Sequence, residues 1–247
     1  MKRDKMTNYY LRMDDVGAST KKYEVYSNKR FGNFLFFKYL NYFKAWGVYD
    51  ELSSIMWEKI INVLRKNDSK LTVGITASWV DRSGDLVPFH EKFPLQANIL
   101  SIASEEGYVE IANHGLTHCV VGKHLPRLFS SNRNYHREFW SWLPRDIHFE
   151  HLEKSQNLFN NWLGKTPTTL IPPGNVMSID TINAAEKYGI KVINCNQNIS
   201  HNSNIRIIND ERVIAFHDRE LSLYGVDWLE RLISAHKGSS AGFLRDI

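Results

Sequence analysis

The chain has 247 residues, 43% hydrophobic and 23% charged, enough apolar matter for one sizeable core. Its 14 glycines and 7 prolines are too few for a fibrous or low-complexity chain, and its longest uncharged stretches, Thr166 to Ile179 and Val192 to Ile205, fall short of the roughly 18 residues of a membrane span. The formal charge of +4 comes from interspersed basic and acidic residues, which speaks against nucleic acid and favours an anionic small substrate.

In chain order, Tyr9 to Met13 reads as a first strand. The aromatic run Phe31 to Tyr49, with Phe34, Phe36, Phe37, Tyr39, Leu40, Tyr42, Phe43 and Trp46, predicts a helix apolar on most sides, buried against its neighbours or in a dimer contact. Ser53 to Lys66 reads as a helix, followed by a polar turn at 67–69 and a strand from Leu71 to Thr76. Trp79 and Asp81 follow that strand, Trp79 as a rim or packing residue. Pro94 to Glu106 is a helix stopped by Gly107, and Tyr108 to Ala112 alternates like a strand. The same grammar recurs at Phe149 to Leu163, Gly164 and Thr168 to Ile171. It recurs again at Ser178 to Tyr188, with Ser178 as N-cap, then Gly189 and the strand Ile190 to Ile193. A weaker strand, Asn204 to Ile208, and a clear one, Glu211 to Phe216, complete about seven. Strands alternating with helices predict a parallel sheet, closed as a barrel or doubly wound, with ligands beyond the carboxyl ends of the strands.

Four chemically rich clusters fall at those ends: Asp14-Asp15, His114 with His118, Pro172-Pro173-Gly174-Asn175, and His217-Asp218. Each has a bland alternative, since an Asp pair begins turns, spaced histidines occupy surfaces and Pro-Pro-Gly makes a rigid bend. Together they combine well. One carboxylate and two imidazoles complete a three-ligand metal site with an open position, leaving one carboxylate as base and one imidazole as acid.

The segments 12–17, 113–118, 170–175 and 215–218 resemble, in order, motifs of the polysaccharide deacetylase family (NodB homology, carbohydrate esterase family 4). The resemblance spans about Tyr9 to Glu220 and implies a single domain over 1–247, built as a distorted (β/α) barrel. It implies that Asp15, His114 and His118 bind one divalent metal, most often zinc, with manganese, iron, cobalt and nickel also admitted. Asp14 would then be the general base, the Gly174 backbone N–H an oxyanion donor and His217 the general acid, in hydrolysis of an N-acetyl group with release of acetate. Three departures from the family pattern stand out. Ile171 occupies the place of an arginine, Gly174 replaces an aromatic, and Asn194 and Asn196 lie where an acid would tune His217. Arg12 is expected to replace the arginine, because residues i and i+2 of a strand share a face and Arg12 can reach Asp14. Asp218 is a weaker candidate to tune His217, since alternation points it away.

The segment 119–148 interleaves Lys123, Arg127, Arg133, Arg137 and Arg145 with Phe129, Tyr135, Phe139, Trp140 and Trp142. It reads either as a substrate lid, with aromatic faces for sugar rings and arginines for a phosphate, or as a covering element. Substrate contacts are expected at Arg12, Trp79, Pro173, Asn175, Tyr135 and Trp140. Residues 1–8 show no apolar h-region, and Cys119 and Cys195 cannot build a disulfide framework, so the expected setting is the cytoplasm. The expected substrate is an acetylated sugar or glycan precursor, as in surface polysaccharide biosynthesis, and phosphate-bearing. A small non-sugar amide as substrate and a non-catalytic carbohydrate-binding protein are the alternatives. Oligomeric state is left open.

Overall fold

A computed structural model describes residues 9–45, 49–129, 131–236 and 239–247. The N-terminal stretch 1–8, read above for a signal, and Trp46 lie outside these residues.

The chain forms strands β1 (Tyr9–Val16), β2 (Leu71–Ile75), β3 (Ser78–Val80), β4 (Leu86–Pro88), β5 (Val109–Asn113), β6 (Thr169–Leu170), β7 (Val192–Asn194), β8 (Arg206–Ile208), β9 (Val213–His217) and β10 (Ala241–Gly242). Helices are α1 (Thr20–Tyr23), α2 (Ser54–Lys66), α3 (Phe89–Lys92), α4 (Pro94–Glu105), α5 (Arg145–Leu163), α6 (Ile179–Lys187), α7 (Asp218–Tyr224) and α8 (Val226–Ser234). All seven expected strands are present in one parallel sheet ordered β10-β1-β2-β5-β6-β7-β8, with β9 also paired to β1. No pairing joins β8 to β9 among the described residues, so the barrel is curled but open. The antiparallel β3–β4 hairpin and the two-residue β10 were not legible as strands.

Strand alternation sorts the sequence into an inside and an outside. On β1, Leu11 and Met13 face outward into the main core with Trp57, Ile60 and Leu64 of α2 and Leu100 of α4. Tyr10 faces inward, in a small cluster with Ala112, Ile171 and Leu244 that fills the barrel. A third cluster packs Phe139, Leu152 and Leu170 against Ile182 and Ala185 of α6.

Helix ends follow their capping chemistry. Ser53 accepts from the Met56 amide, Ser178 and Thr181 form a capping box, and Gly164 closes α5 in the left-handed conformation that glycine tolerates. Helix α5 begins at Arg145, four residues before the apolar periodicity shows itself, because Arg145, Asp146 and His148 make its first turn after Pro144 mostly polar.

The expected helix over the aromatic run is not formed. Only Leu35–Tyr39 makes a short 3-10 turn, and Phe31, Phe34, Phe36 and Tyr42 are exposed. Positive φ at Phe31 and Leu35 breaks any helical path, and a run without a polar face gives a helix no orientation to bury. No described helix is long and apolar enough to cross a membrane.

Candidate active site

Asp14 and Asp15 both serve the same cavity although neighbours on a strand point to opposite faces. The pairing of β1 with β2 shifts register between Met13 and Val16, and Asp15 adopts φ 70°. That irregularity turns the second carboxylate in beside the first. His118 is likewise left-handed, at φ 58°. Two of the three expected ligands therefore sit in conformations that cost of order 1 kcal/mol or more each.

His114, just past the end of β5, has Nδ1 2.6 Å from the Ile171 carbonyl oxygen. Nδ1 can only donate there, so the neutral ring presents its Nε2 lone pair to Asp15 Oδ1 at 3.2 Å. His118 lies with Nδ1 3.2 Å from Thr20 Oγ1 and Nε2 3.1 Å from the same Asp15 oxygen. The Nε2 of His118 is buried and in no hydrogen bond of proper geometry among the described residues. Lone pairs and a carboxylate facing one another within 4.8 Å repel unless a cation lies between them, so the donor set fits a divalent ion. Ile171 and Thr20 fix the two rings from behind, as outer partners of metal ligands do.

The turn between the histidines is held by Glu138 from the segment 119–148. Glu138 is fully buried and accepts from the Thr117 and His118 amides, from Thr117 Oγ1 and from His151 Nδ1 at 2.5 Å. Gly115, at φ 85°, lets it approach, since a Cβ there would lie 1.5 Å from Glu138 Oε1.

Arg12 lies beside Asp14. Its Nε is 2.8 Å from Oδ1 and its Nη2 2.5 Å from Oδ2, while Nη1 donates to Asn194 Oδ1 at 2.7 Å and Nη2 to Asn175 Oδ1 at 3.2 Å. Burial would raise Asp14, but the Arg12 charge and hydrogen bonds more than offset it and hold the carboxyl below its ordinary range. The register of β1 and β9 sets Asp14 directly beside His217. His217 Nε2 is 4.0 Å from Asp15 Oδ2, and its Nδ1 is 3.7 Å from Glu220 Oε2. Glu220 also accepts from the His217 amide. Asp218 points away from the cavity as alternation requires, and it pairs in the interior with Lys21, which also binds Glu51 at 2.5 Å.

A cavity of about 270 Å³ opens over these groups, lined by Asp14, Asp15, His118, Gly174, Asn175 and His217 among others. Arg12 and Pro173 are buried behind its wall. Trp79, Tyr135 and Trp140, expected as substrate contacts, do not line it. Trp79 packs edge-on against Phe93, Tyr135 lines a separate depression with Trp142, and Trp140 donates to the Asn134 carbonyl. Asp81 caps the hairpin turn at 81–85. The segment 119–148 instead brings Arg133, His136 and Arg137 to the cavity. Sequence reading missed Thr20, Glu138 and Glu220 as partners of the site. Only Glu220 carried a signal, the i, i+3 spacing of a capping box with His217.

The family profile of polysaccharide deacetylases matches residues 44–193, which include His114, His118 and the turn 172–175 but not Asp14, Asp15 or His217. No curated protein matches the chain in sequence. Among solved structures, a pseudoenzyme of carbohydrate esterase family 4 from Bacillus anthracis is 11% identical with a TM-score of 0.52, over 97% of this chain and 64% of that one. The chain thus spans under two thirds of that relative. A peptidoglycan N-acetylglucosamine deacetylase is 14% identical with a TM-score of 0.51, over 97% of this chain and 86% of that one. A family 4 acetyl xylan esterase from Clostridium thermocellum, in complex with a cobalt ion, is 13% identical with a TM-score of 0.51, over 97% and 89%. At such identities the likeness is one of fold.

Proposed function

The chain belongs to the polysaccharide deacetylase family, and on that premise we propose that it is a metal-dependent hydrolase that removes an N-acetyl group from an amino sugar or glycan precursor. The observation that carries this reading is the convergence of Asp15, His114 and His118 beside an Asp14 that Arg12 keeps ionised.

A divalent ion, most simply zinc, held by those three residues would supply Lewis acidity for the acetyl carbonyl and acidify a water. Asp14 would take a proton from the attacking water as the C–O bond forms. The Gly174 N–H, at the rim of the cavity, would donate to the oxyanion that develops on the acetyl carbon. His217, protonated, would pass its proton to the departing nitrogen as the C–N bond breaks, leaving acetate and a free amine. Asn175 stands where a substrate hydroxyl can reach it, and the segment 119–148 acts as a lid through Arg133 and Arg137. Two buried, unpaired cysteines support the cytoplasm as the place of action.

The test is metal content of wild type and His118→Ala measured side by side, with acetate release from a panel of N-acetylated sugars. The expected result is about one divalent ion per wild-type chain, lost in the variant, with turnover that follows it. Full metal occupancy without turnover on any acetylated sugar would instead favour a binding protein.

A further inference from the structure

Five cations line the cavity; Lys21 and Arg219 pair with carboxylates, and the other three converge on it from two loops. Lys44 comes from the aromatic run, and Arg133 and Arg137 come from the segment 119–148. None of the three makes an ion pair among the described residues, although buried or half-buried cations ordinarily find a carboxylate. Their guanidinium groups lie on aromatic faces, Arg133 over Tyr26 at 4.2 Å and Arg137 over Trp140 at 5.6 Å, which leaves their N–H edges free to donate. Arg137 also lies across the Pro-Pro turn, since a Cβ at Gly174 would sit 2.3 Å from its Nε. The missing side chain at Gly174 is what makes room for it. Burial, then the like charge of Arg133, pushes Arg137 below its ordinary value, with Glu24 opposing. An anion placed between them would relieve that repulsion.

We infer that Lys44, Arg133 and Arg137 form a subsite for a phosphate group carried by the acetylated substrate. The inference rests on the deacetylase reading of the same cavity. Phosphate suits the geometry because two guanidinium edges and one ammonium match its several oxygens, whereas a neutral glycan would leave three cations with only the Glu24 charge that acts on Arg137. The phosphate can belong to a free sugar phosphate, a nucleotide-linked sugar or a lipid-linked sugar.

The test compares kcat/KM for acetate release from N-acetylglucosamine, its 1-phosphate, its uridine diphosphate derivative and a short prenyl diphosphate derivative, together with direct binding of the 1-phosphate by calorimetry. Wild type should prefer a phosphorylated substrate, and the preferred one identifies the source. Arg133→Met and Arg137→Met should each cut that preference roughly ten- to a hundredfold, with Arg137→Lys and Lys44→Met as milder, fold-preserving changes. Equal turnover of all four substrates overturns the subsite and leaves the deacetylase standing. Binding of the 1-phosphate that depends on the two arginines, without turnover of any substrate, sustains the subsite and sinks the deacetylase. Neither binding nor turnover removes both.

The aromatic run carries an independent inference. Phe31, Phe34, Phe36, Tyr39 and Tyr42 are each between 41% and 74% exposed, an apolar display that monomeric proteins rarely leave uncovered. Tyr42, Phe43, Phe37 and Phe36 touch one another in succession, edge-on or tilted, and Lys29 donates to the Tyr42 carbonyl, so the surface is ordered in advance. From Val25 to Tyr49 the sequence holds four cations and no acid; Lys38 is buried and Lys44 lines the cavity, so Lys29 and Arg30 are the charges this face presents. A second copy would set like charge against like charge, whereas an anionic bilayer answers both the rings and the cations. We infer that this face docks on a bilayer surface rich in anionic lipid, with the cavity opening beside it.

Co-sedimentation with phosphatidylcholine vesicles, with and without phosphatidylglycerol, tests the docking. Binding is expected only with the anionic lipid, falling roughly tenfold in the Lys29→Glu, Arg30→Glu double variant and again in Phe31→Ser, Phe36→Ser. Absence of binding to either vesicle overturns it. So does light scattering that shows a dimer dissociated by the same substitutions, which would assign the face to a second copy.

Discussion

Arg12 sets its guanidinium against both oxygens of Asp14, and Asn194 and Asn175 hold its remaining edge. The consequence is a carboxylate that stays ionised and cannot rotate, two properties a base needs at the moment of attack. Arg12→Ala should lower turnover by about a hundredfold while metal content stays at the wild-type level, because no ligand touches the arginine. Arg12→Lys should recover only part of the loss, since one ammonium cannot span both oxygens. Parallel metal analysis and steady-state kinetics check this, and unchanged turnover would remove the arginine from the mechanism. This contact was legible from spacing alone, since i and i+2 on a strand share a face. The role of Asn194 was not, because nothing in a linear sequence says that a residue 182 positions away closes the other side of the fork.

The segment 119–148, irregular apart from a 3-10 turn at Arg133–Tyr135 and the first turn of α5, nevertheless fixes the site. Phe139 anchors it in the core with Leu152 and Leu170, and Glu138 reaches from it to the turn between the two histidines. Glu138→Gln would turn an amide donor toward backbone N–H groups that need an acceptor, so metal affinity should fall roughly ten- to a hundredfold in a chelator competition. Wild-type affinity in that variant would show that the turn holds itself. Two positions earlier, burial first and foremost pushes His136 down to about 3 from the ordinary 6.5, against its bond to the His124 carbonyl. The unfolded chain therefore takes up a proton below pH 6.5 that the folded protein refuses until about pH 3, and stability falls as pH drops through that window. From pH 7 to pH 5 the loss should be about 2 kcal/mol from this ring, and His136→Gln should flatten the urea-midpoint profile by that amount. An identical profile in the variant would mean that the ring titrates freely. The sequence identified this segment as unusual by its aromatic content, yet its reading put the weight on the rings. The contacts at the cavity come instead from Arg133, His136 and Arg137, because the aromatic side chains are spent on packing and on cation stacking.

For the whole molecule, the seven strands and their order along the chain were readable because helix caps, glycine stops and β-rich runs repeat the same local grammar, and a parallel sheet follows from alternation. What closes the barrel from below was not readable, because it rests on contacts remote in sequence. The sheet is open between β8 and β9, and the end opposite the site is filled by the segment 241–247. Leu244 is fully buried in the inner cluster with Tyr10, Ala112 and Ile171. Its amide donates to Thr72 Oγ1, and the Arg245 amide reaches Glu110, a buried carboxyl that also accepts from Thr72 and Thr169. These contacts join β1, β2, β5 and β6 at their amino ends, below the layer of Arg12 and His114 that carries the site. Leu244→Ala removes the fully buried side chain that the plug places in the inner cluster and leaves a cavity inside the curl, which should cost about 2–5 kcal/mol. For a protein of this size that is a fall in Tm of roughly 5–15 °C. Because the strand ends that carry Asp14, Asp15, His114 and His217 belong to the same curl, the loss should appear as global unfolding and not as selective release of metal. Calorimetry with metal content followed on the same samples distinguishes the two. A small change in Tm with early metal loss would mean that the segment 241–247 tunes the site without supporting the fold.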